Sequence, residues 1–382
     1  MRKSVLFALG LVVACIVTLG LVVLSSAGQA NGVRLHHDAF FFFKRQLIFV
    51  AAGIPLAYFI SRFDYHHLRD NMSLTFFAYA ALIALLILAL CFPPINGSRR
   101  WIPMKIINLQ PSEIAKIMSV IIVAMWTDRL KWKIDRFVKG AVIPTLLMGV
   151  MAALVMLEPD FGSTMVIALA AFLTMFLAGT KLLHLVAMAS MAAPMFIYKI
   201  VRNANRMARI AAYMGRDTAI GGADVSSTAI DNAAYQGHHA LVSLHNGGIW
   251  GVGLNESMQK HSFLPEMHTD MIFAIGAEEL GLIFSLVVVA LWVAFFVLSL
   301  YIAYHATDHF GKLIAVGMAF VLFFQTFFNI GVVCGALPMK GMALPFFTYG
   351  GTNILCAFAA VGLILSVGNY AAAEYERKHR RG

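Results

Sequence analysis

The sequence predicts an all-α, polytopic integral membrane protein with about ten transmembrane helices and a long extracytoplasmic loop between helices 7 and 8. Three observations carry that prediction. Of 382 residues, 60% are hydrophobic and only 13% charged, where a soluble domain holds roughly 45–50% apolar and about 25% charged residues; mean hydropathy is +0.79. Apolar stretches close to the ~20-residue spanning length recur along the whole chain. The basic residues behind the net charge of +10 cluster in short segments between those stretches. There they set topology and meet lipid headgroups, which argues against a nucleic-acid partner.

The stretches fall near 5–27, 46–63, 74–92, 111–126, 139–156, 163–179, 182–202, 272–303, 312–337 and 353–372. The first is preceded by MRK and followed by SSA, as in a signal peptide. Its apolar run exceeds the usual ~7–15-residue signal core, so it is read as a retained first helix. With the N-terminus inside, MRK, Arg62 and Arg69, TDRLKWKIDRFVK and the tail YERKHRRG all face the cytoplasm, as the positive-inside rule expects. Both termini are then cytoplasmic. The loop 203–271, NGSRRWIPMKIINLQ (96–110) and the segment around LPMKGMALPFFTYGG (337–351) face outward.

One transmembrane domain, 1–382 with the loop 203–271 included, accounts for the chain. There is no Walker P-loop and no strand–GxGxxG–helix unit. GGIWGVG (247–253) reads as tight turns in the outer loop, since a lone glycine run is weak evidence of anything more. Cys15, Cys91, Cys334 and Cys356 all lie in apolar runs without CxxC or Cys/His spacing, which argues against a disulfide framework or zinc site and reads as buried, inert thiols. His238, His239, His245, His261 and His268 match no standard ligand spacing.

The polar residues at the outer ends carry the chemistry. Arg99 and Arg100 are either interfacial arginines on lipid phosphate or a diphosphate site, because guanidinium grips phosphate bidentately. Trp101 beside them is an interfacial anchor or a platform for a sugar. Pro111 suits the first turn of a helix, which places Glu113 and Lys116 three apart on one face, an intramembrane pair that neutralises itself. In LEPDFGST (157–164), Asp160 reads as the cap of a new helix.

FLPEMHTDMIFAIGAEELG (263–281) places Glu266, Asp270, Glu278 and Glu279 where the chain enters a span. Carboxylates there need a reason. Asp270, at the boundary, is the group best placed to reach an external substrate; the competing reading is a helix N-cap. Glu278 and Glu279 lie deeper, support the fold, and require partners such as a lysine or backbone donors.

GSRRWI, LQPSEIAK, EPDFGST, FLPEMHTDMIFA, EELG and LPFFTYGGT resemble, in order, the motifs of the SEDS family (shape, elongation, division and sporulation), which includes FtsW, RodA and SpoVE. GSRRW and EPDFG are closer to FtsW than to RodA, whose counterparts usually read nearer GAQRW and QPDLG. The chain departs from the family at HNGG (245–248), GLNES (253–257), YQGHHA and Ala343, positions that bear on acceptor or partner contacts.

The resemblance implies a peptidoglycan glycosyltransferase of the bacterial inner membrane that polymerises lipid II onto a growing glycan strand. Its role would lie in division, as for FtsW, or in elongation or sporulation, alongside a class B penicillin-binding protein (FtsI-like) and other division proteins. It matches Asp270 to the family's proposed catalytic aspartate. Arg99, Arg100, Trp101, Glu113, Lys116, Glu266 and His268 are then expected at the substrate, and Asp160, Glu278 and Glu279 in support. No metal ligand set is assigned; a divalent cation, magnesium or manganese, is a candidate to share with the arginines the leaving group's charge. The rival classes are a lipid II flippase and a non-catalytic division scaffold.

Overall fold

The computed structural model describes residues 3–94, 98–104, 108–215, 227–260 and 269–379. In chain order its α-helices are α1 (Lys3–Ala27), α2 (Gln29–His36), α3 (Phe41–Arg62), α4 (His66–Asp70), α5 (Met72–Cys91), α6 (Pro111–Arg129), α7 (Ile143–Leu157), α8 (Phe161–Leu177), α9 (Leu182–Val201), α10 (Ala204–Met214), α11 (Ser227–Gly247), α12 (Ile272–Tyr304), α13 (His309–Val333) and α14 (Gly351–His379). A two-stranded antiparallel pair, β1 (Ile102–Pro103) and β2 (Asn108–Leu109), precedes α6.

Each predicted stretch is overlaid by one long helix, and eight of these helices are long and apolar enough to cross a membrane, α7 being counted with the π-helical turn Val138–Val142 before it. The other two are α6, which carries Glu113, Lys116, Asp128 and Arg129, and α8, which is 17 residues long. Within the segment 203–271 the described residues carry two helices, α10 and α11.

Helices suit these sequences because each satisfies its own backbone, the condition for lying in hydrocarbon. Pro55 and Pro194 lie inside α3 and α9; each removes one backbone donor, a gap membrane helices tolerate because neighbouring groups re-satisfy the freed carbonyl. The bundle packs α3 along α14, α12 against α13 and α1, and α6 against α8. A Cβ at Gly20 of α1 would strike the backbone of Phe346, the close approach that small residues permit between membrane helices. By contrast α9 buries only Leu185 against protein. Its apolar surface, like much of the bundle's, is suited to lipid. That also corrects the cysteines: Cys15, Cys91 and Cys334 are exposed and Cys356 is half-buried, since an apolar run in such a chain faces lipid as readily as core.

One helix is broken. Gly281 sits inside α12 at φ 75°, ψ −169°, a conformation open to glycine and strained for a side chain. The break frees the carbonyls of Glu278 and Glu279, which accept from Val252 N (3.0 Å) and Gly253 N (3.0 Å), while Leu282 N and Ile283 N donate to Gly248 O (2.9 Å) and Ile249 O (3.4 Å). The GGIWGVG segment is therefore more than a set of turns. It lies along the break and completes its backbone hydrogen bonds, as irregular backbone among membrane helices requires.

At the end of the bundle where α3 finishes and α13 starts, Tyr65 Oη donates to Asp308, and His66 lies 2.6 Å from Asp64 and 3.3 Å from Asp308. Asp308 also caps α13 through Gly311 N (3.0 Å). Among the described residues, those singled out for chemistry gather at the other end, around the starts of α6 and α14 and the Asp270 cavity.

Candidate active site

Asp160 organises one side of the site. It caps α8 by accepting from Ser163 N (3.1 Å) and Ser163 Oγ (2.9 Å). Gln110 Nε2 (3.3 Å) and Ser112 Oγ (3.4 Å), at the start of α6, reach the same carboxylate, and Arg100 Nη1 lies 3.8 Å away. Burial works to raise the Asp160 carboxyl, but Arg100, the Ser163 N–H, Lys340 and Lys116 together hold it below the usual carboxylate range. Glu158, two residues earlier, goes the other way. Burial, with Asp160 adding to it, pushes its carboxyl up to about 8 against the pull of Arg100, and neither oxygen has a partner among the described residues. At neutral pH Glu158 is therefore an uncharged acid beside a charged one.

Asp270 lies two residues before α12, and the N-cap position is Met271. Its carbonyl accepts from Asn329 Nδ2 of α13 (2.8 Å), which also donates to Met342 O (2.7 Å). Thr348 Oγ1 holds Thr269 O (3.2 Å). A side chain at Gly341 would collide with the Asp270 carboxylate, so glycine there lets Asp270 face a cavity of about 80 Å³ that it lines with Arg209, Gln236 and Lys340. Burial lowers the Arg209 guanidinium while Asp270 supports its charge.

Lys340 joins the two sides. Its stem packs on Gly162, its Nζ stands 4.0 Å over the Phe161 ring, and it borders the Asp270 cavity. Gln110 N donates to Thr352 Oγ1 (3.2 Å), which brings the start of α14 to the start of α6.

Glu113 and Lys116 form a buried ion pair at 2.8 Å, next to a void of about 10 Å³ bordered by Gln325, Asn353 and Cys356. Loss of either member strands the other's charge in a low dielectric, a loss worth about 3–5 kcal/mol for buried pairs. Lys116→Ala and Glu113→Ala are each expected to lower the melting temperature in detergent, and the exchange Glu113→Lys with Lys116→Glu to recover part of the loss. Parent-like melting of both alanine variants would remove the pair from the fold's support.

Glu278 and Glu279 sit in a separate network. Ser257 Oγ donates to Glu278, as does Asn246 Nδ2 at 3.4 Å. Glu279 pairs with the fully buried Lys260 at 3.3 Å and accepts from Ser26 Oγ at 2.5 Å. Lys260 also donates to Asn255 Oδ1 at 2.6 Å.

The structure thus brings Arg100, Asp160 and Lys116 within electrostatic reach of one another, with Asp270 across Lys340. Arg99 is exposed, and the Trp101 ring lies 5.8 Å from Arg100 Cζ. Glu266 and His268 lie outside the described residues. Lys340, Arg206, Arg209 and Lys260 join these groups only in three dimensions. A lone lysine in an apolar outward segment is the signal for Lys340, and cations three apart on an amphipathic helix are the signal for the arginines. Among the described residues no three of His, Cys, Asp and Glu converge, and Asp160 and Asp270 are each faced by cations. That donor set fits an anion better than a divalent cation.

Comparison with known proteins yields three findings. The family profile described as Cell cycle protein, covering FtsW, RodA and SpoVE, matches residues 7–373. A probable peptidoglycan glycosyltransferase FtsW of Coxiella burnetii is 33% identical over 92% of this chain and 93% of its own length. Among solved structures, a chain of a peptidoglycan synthase complex that coordinates polymerization and crosslinking superposes with a TM-score of 0.74 at 25% identity, over 96% of this chain and 98% of that one. The rod shape determining protein RodA of Thermus thermophilus shares the fold, with a TM-score of 0.67 at 24% identity over 95% and 96%.

Proposed function

Because this chain belongs to the FtsW, RodA and SpoVE family of cell cycle proteins, we propose that it is a peptidoglycan glycosyltransferase that polymerises lipid II into glycan strands. The chain is a multi-pass membrane protein, here read as a single domain of the inner membrane with cytoplasmic termini and an outward-facing site. The observation that carries the reading is the position of Asp270: a carboxylate on a cavity wall shared with Arg209 and Lys340, at one end of an apolar bundle.

A β-1,4 bond made from an α-linked donor requires inversion. The acceptor hydroxyl attacks the anomeric carbon opposite the diphosphate, Asp270 takes the hydroxyl proton, and the carbon–oxygen bond to phosphate breaks with its electron pair leaving on the diphosphate. Fixed cations stabilise the charge that develops there. Arg100, with Arg99 more exposed beside it, is placed for that contact, and Trp101 for a sugar face. Glu113 and Lys116 hold the wall behind Asp160. Glu266 and His268, shortly before Asp270 in the chain, are assigned to the acceptor side, and Asp160, Glu278 and Glu279 to support of the fold. A class B penicillin-binding protein is the expected partner, and division the expected setting.

The test is purified protein incubated with lipid II, with and without that partner. Glycan polymer is the expected product, in larger amount with the partner present. Movement of lipid II between leaflets without polymer would replace the enzyme by a transporter. The gathering of cations around Asp160 and Asp270 at one end, instead of along a path through the bilayer, supports the enzyme.

A further inference from the structure

Gln46 is wholly buried on α3, a helix apolar enough to span a membrane. A side-chain amide in such a place is costly unless both its ends find partners. Both do, on one turn of the chain. Gln46 Nε2 donates to Thr348 O (3.1 Å), and Gln46 Oε1 accepts from Gly350 N (3.3 Å). Phe42, one helical turn earlier on the same face, packs edge-on against Tyr349 between them, with ring centroids 4.9 Å apart. The turn needs holding. Phe346, two residues before Thr348, has φ 66°, a left-handed value that strains a bulky residue and persists only where neighbours over-determine it. The same turn joins the two carboxylates of the candidate site. On one side Thr348 Oγ1 donates to the carbonyl of Thr269 (3.2 Å), the residue before Asp270. On the other, Gln110 N donates to Thr352 Oγ1 (3.2 Å), and Gln110 Nε2 reaches Asp160 (3.3 Å). Residues 348–352 thus bridge Asp270 and Asp160, and Gln46 grips that bridge by a carbonyl and an N–H at once.

We infer that Gln46 is a positioning residue for the transfer reaction: through the turn 348–352 it keeps Asp270 in register with the Asp160 side, where Arg100 stands. This rests on the glycosyl-transfer reading and adds to it a residue of α3 that acts through the backbone of the turn. Inversion places the base and the leaving group on opposite faces of one anomeric carbon, so the spacing of the two sides governs the rate. A misplacement of about 1 Å costs on the order of 10²-fold. Asn329 holds the Asp270 side, and Ser163 the Asp160 side. Gln46 acts on the segment that joins them.

The test compares Gln46→Met and Gln46→Glu with the parent, as purified full chains in nanodiscs with the penicillin-binding-protein partner present. Two readouts are taken: steady-state polymerisation of lipid II, and hydrogen–deuterium exchange. Gln46→Met keeps the length of the side chain and removes both hydrogen bonds. It is expected to lower kcat about 10–100-fold while KM for lipid II stays within about twofold, and to speed exchange in 344–352 and 269–275. Gln46→Glu still donates and accepts as a neutral acid, and loses its donor when it ionises. The donating form is the protonated one, so its kcat relative to the parent's is expected to fall about tenfold or more between about pH 5.5 and about pH 8.5. Loss of packing alone gives no such profile. Melting curves separate loss of fold from loss of turnover, and Gln46→Glu carries the test if Gln46→Met does not fold. A loss carried by KM alone, a Gln46→Glu variant no better than Gln46→Met at any pH, or unchanged exchange in 269–275 would overturn the positioning role. Faster exchange in both segments of a chain whose parent makes no polymer would reject glycosyl transfer and leave the bridge standing; polymer made by Gln46→Met at the parent's rate would reject the positioning role alone.

Discussion

The Asp270→Asn variant is expected to insert and melt like the parent, to bind lipid II nearly as well, and to lose almost all polymerisation. The substitution keeps the size of the side chain and most of its hydrogen bonding but removes the proton acceptor. General-base assistance is worth about 10²–10⁴-fold, and a sugar hydroxyl is a poor nucleophile without it. The backbone here is held independently of the carboxylate, since Asn329 and Thr348 grip the carbonyls of Asp270 and Thr269. Loss of turnover without loss of stability is therefore the signature of a base. Polymer formed at the parent's rate would return Asp270 to a structural role.

Lys260→Met and Glu279→Gln are expected to destabilise strongly. Lys260 and Glu279 are 2% and 1% exposed at 3.3 Å, and removal of one partner from such a pair costs about 3–5 kcal/mol because the other charge stays buried. The pair ties the loop before Asp270 to the half of α12 on the N-terminal side of Gly281, with Ser26 of α1 joined to both. The variants are thus expected to melt lower and to turn over more slowly. Replacing both residues by apolar ones should cost less than the sum of the single losses, the coupling that a double-mutant cycle isolates. Two single variants that each melt at the parent's temperature would show that the pair holds nothing together.

Much of the molecule was legible in one dimension because its solvent imposes a one-dimensional rule. A bilayer demands about 20 apolar residues in a helix that satisfies its own backbone, so hydropathy alone located the long helices to within a few residues. Local chemistry was legible on the same terms. Asp160 three residues before Ser163 is a cap, and Glu113 three residues before Lys116 is a pair, because helical spacing decides both.

What the sequence left open depended on contacts between distant segments. Nothing local to EELG announces that Gly281 breaks α12, since the freed carbonyls are satisfied by Val252 and Gly253. Glu279 called for a partner, but Lys260 became that partner only when loop and half-helix met. Asp270 was conspicuous as a carboxylate at a boundary, whereas Arg209 and Lys340 became its neighbours through the packing of α10 and the segment 334–350. The sequence by itself determined which stretches are helical and apolar and which acidic residues sit at their ends, for those properties belong to spacing along one chain. The tertiary structure alone decided which charges face one another, because a carboxylate's environment is made by groups that are near in space and far apart in sequence.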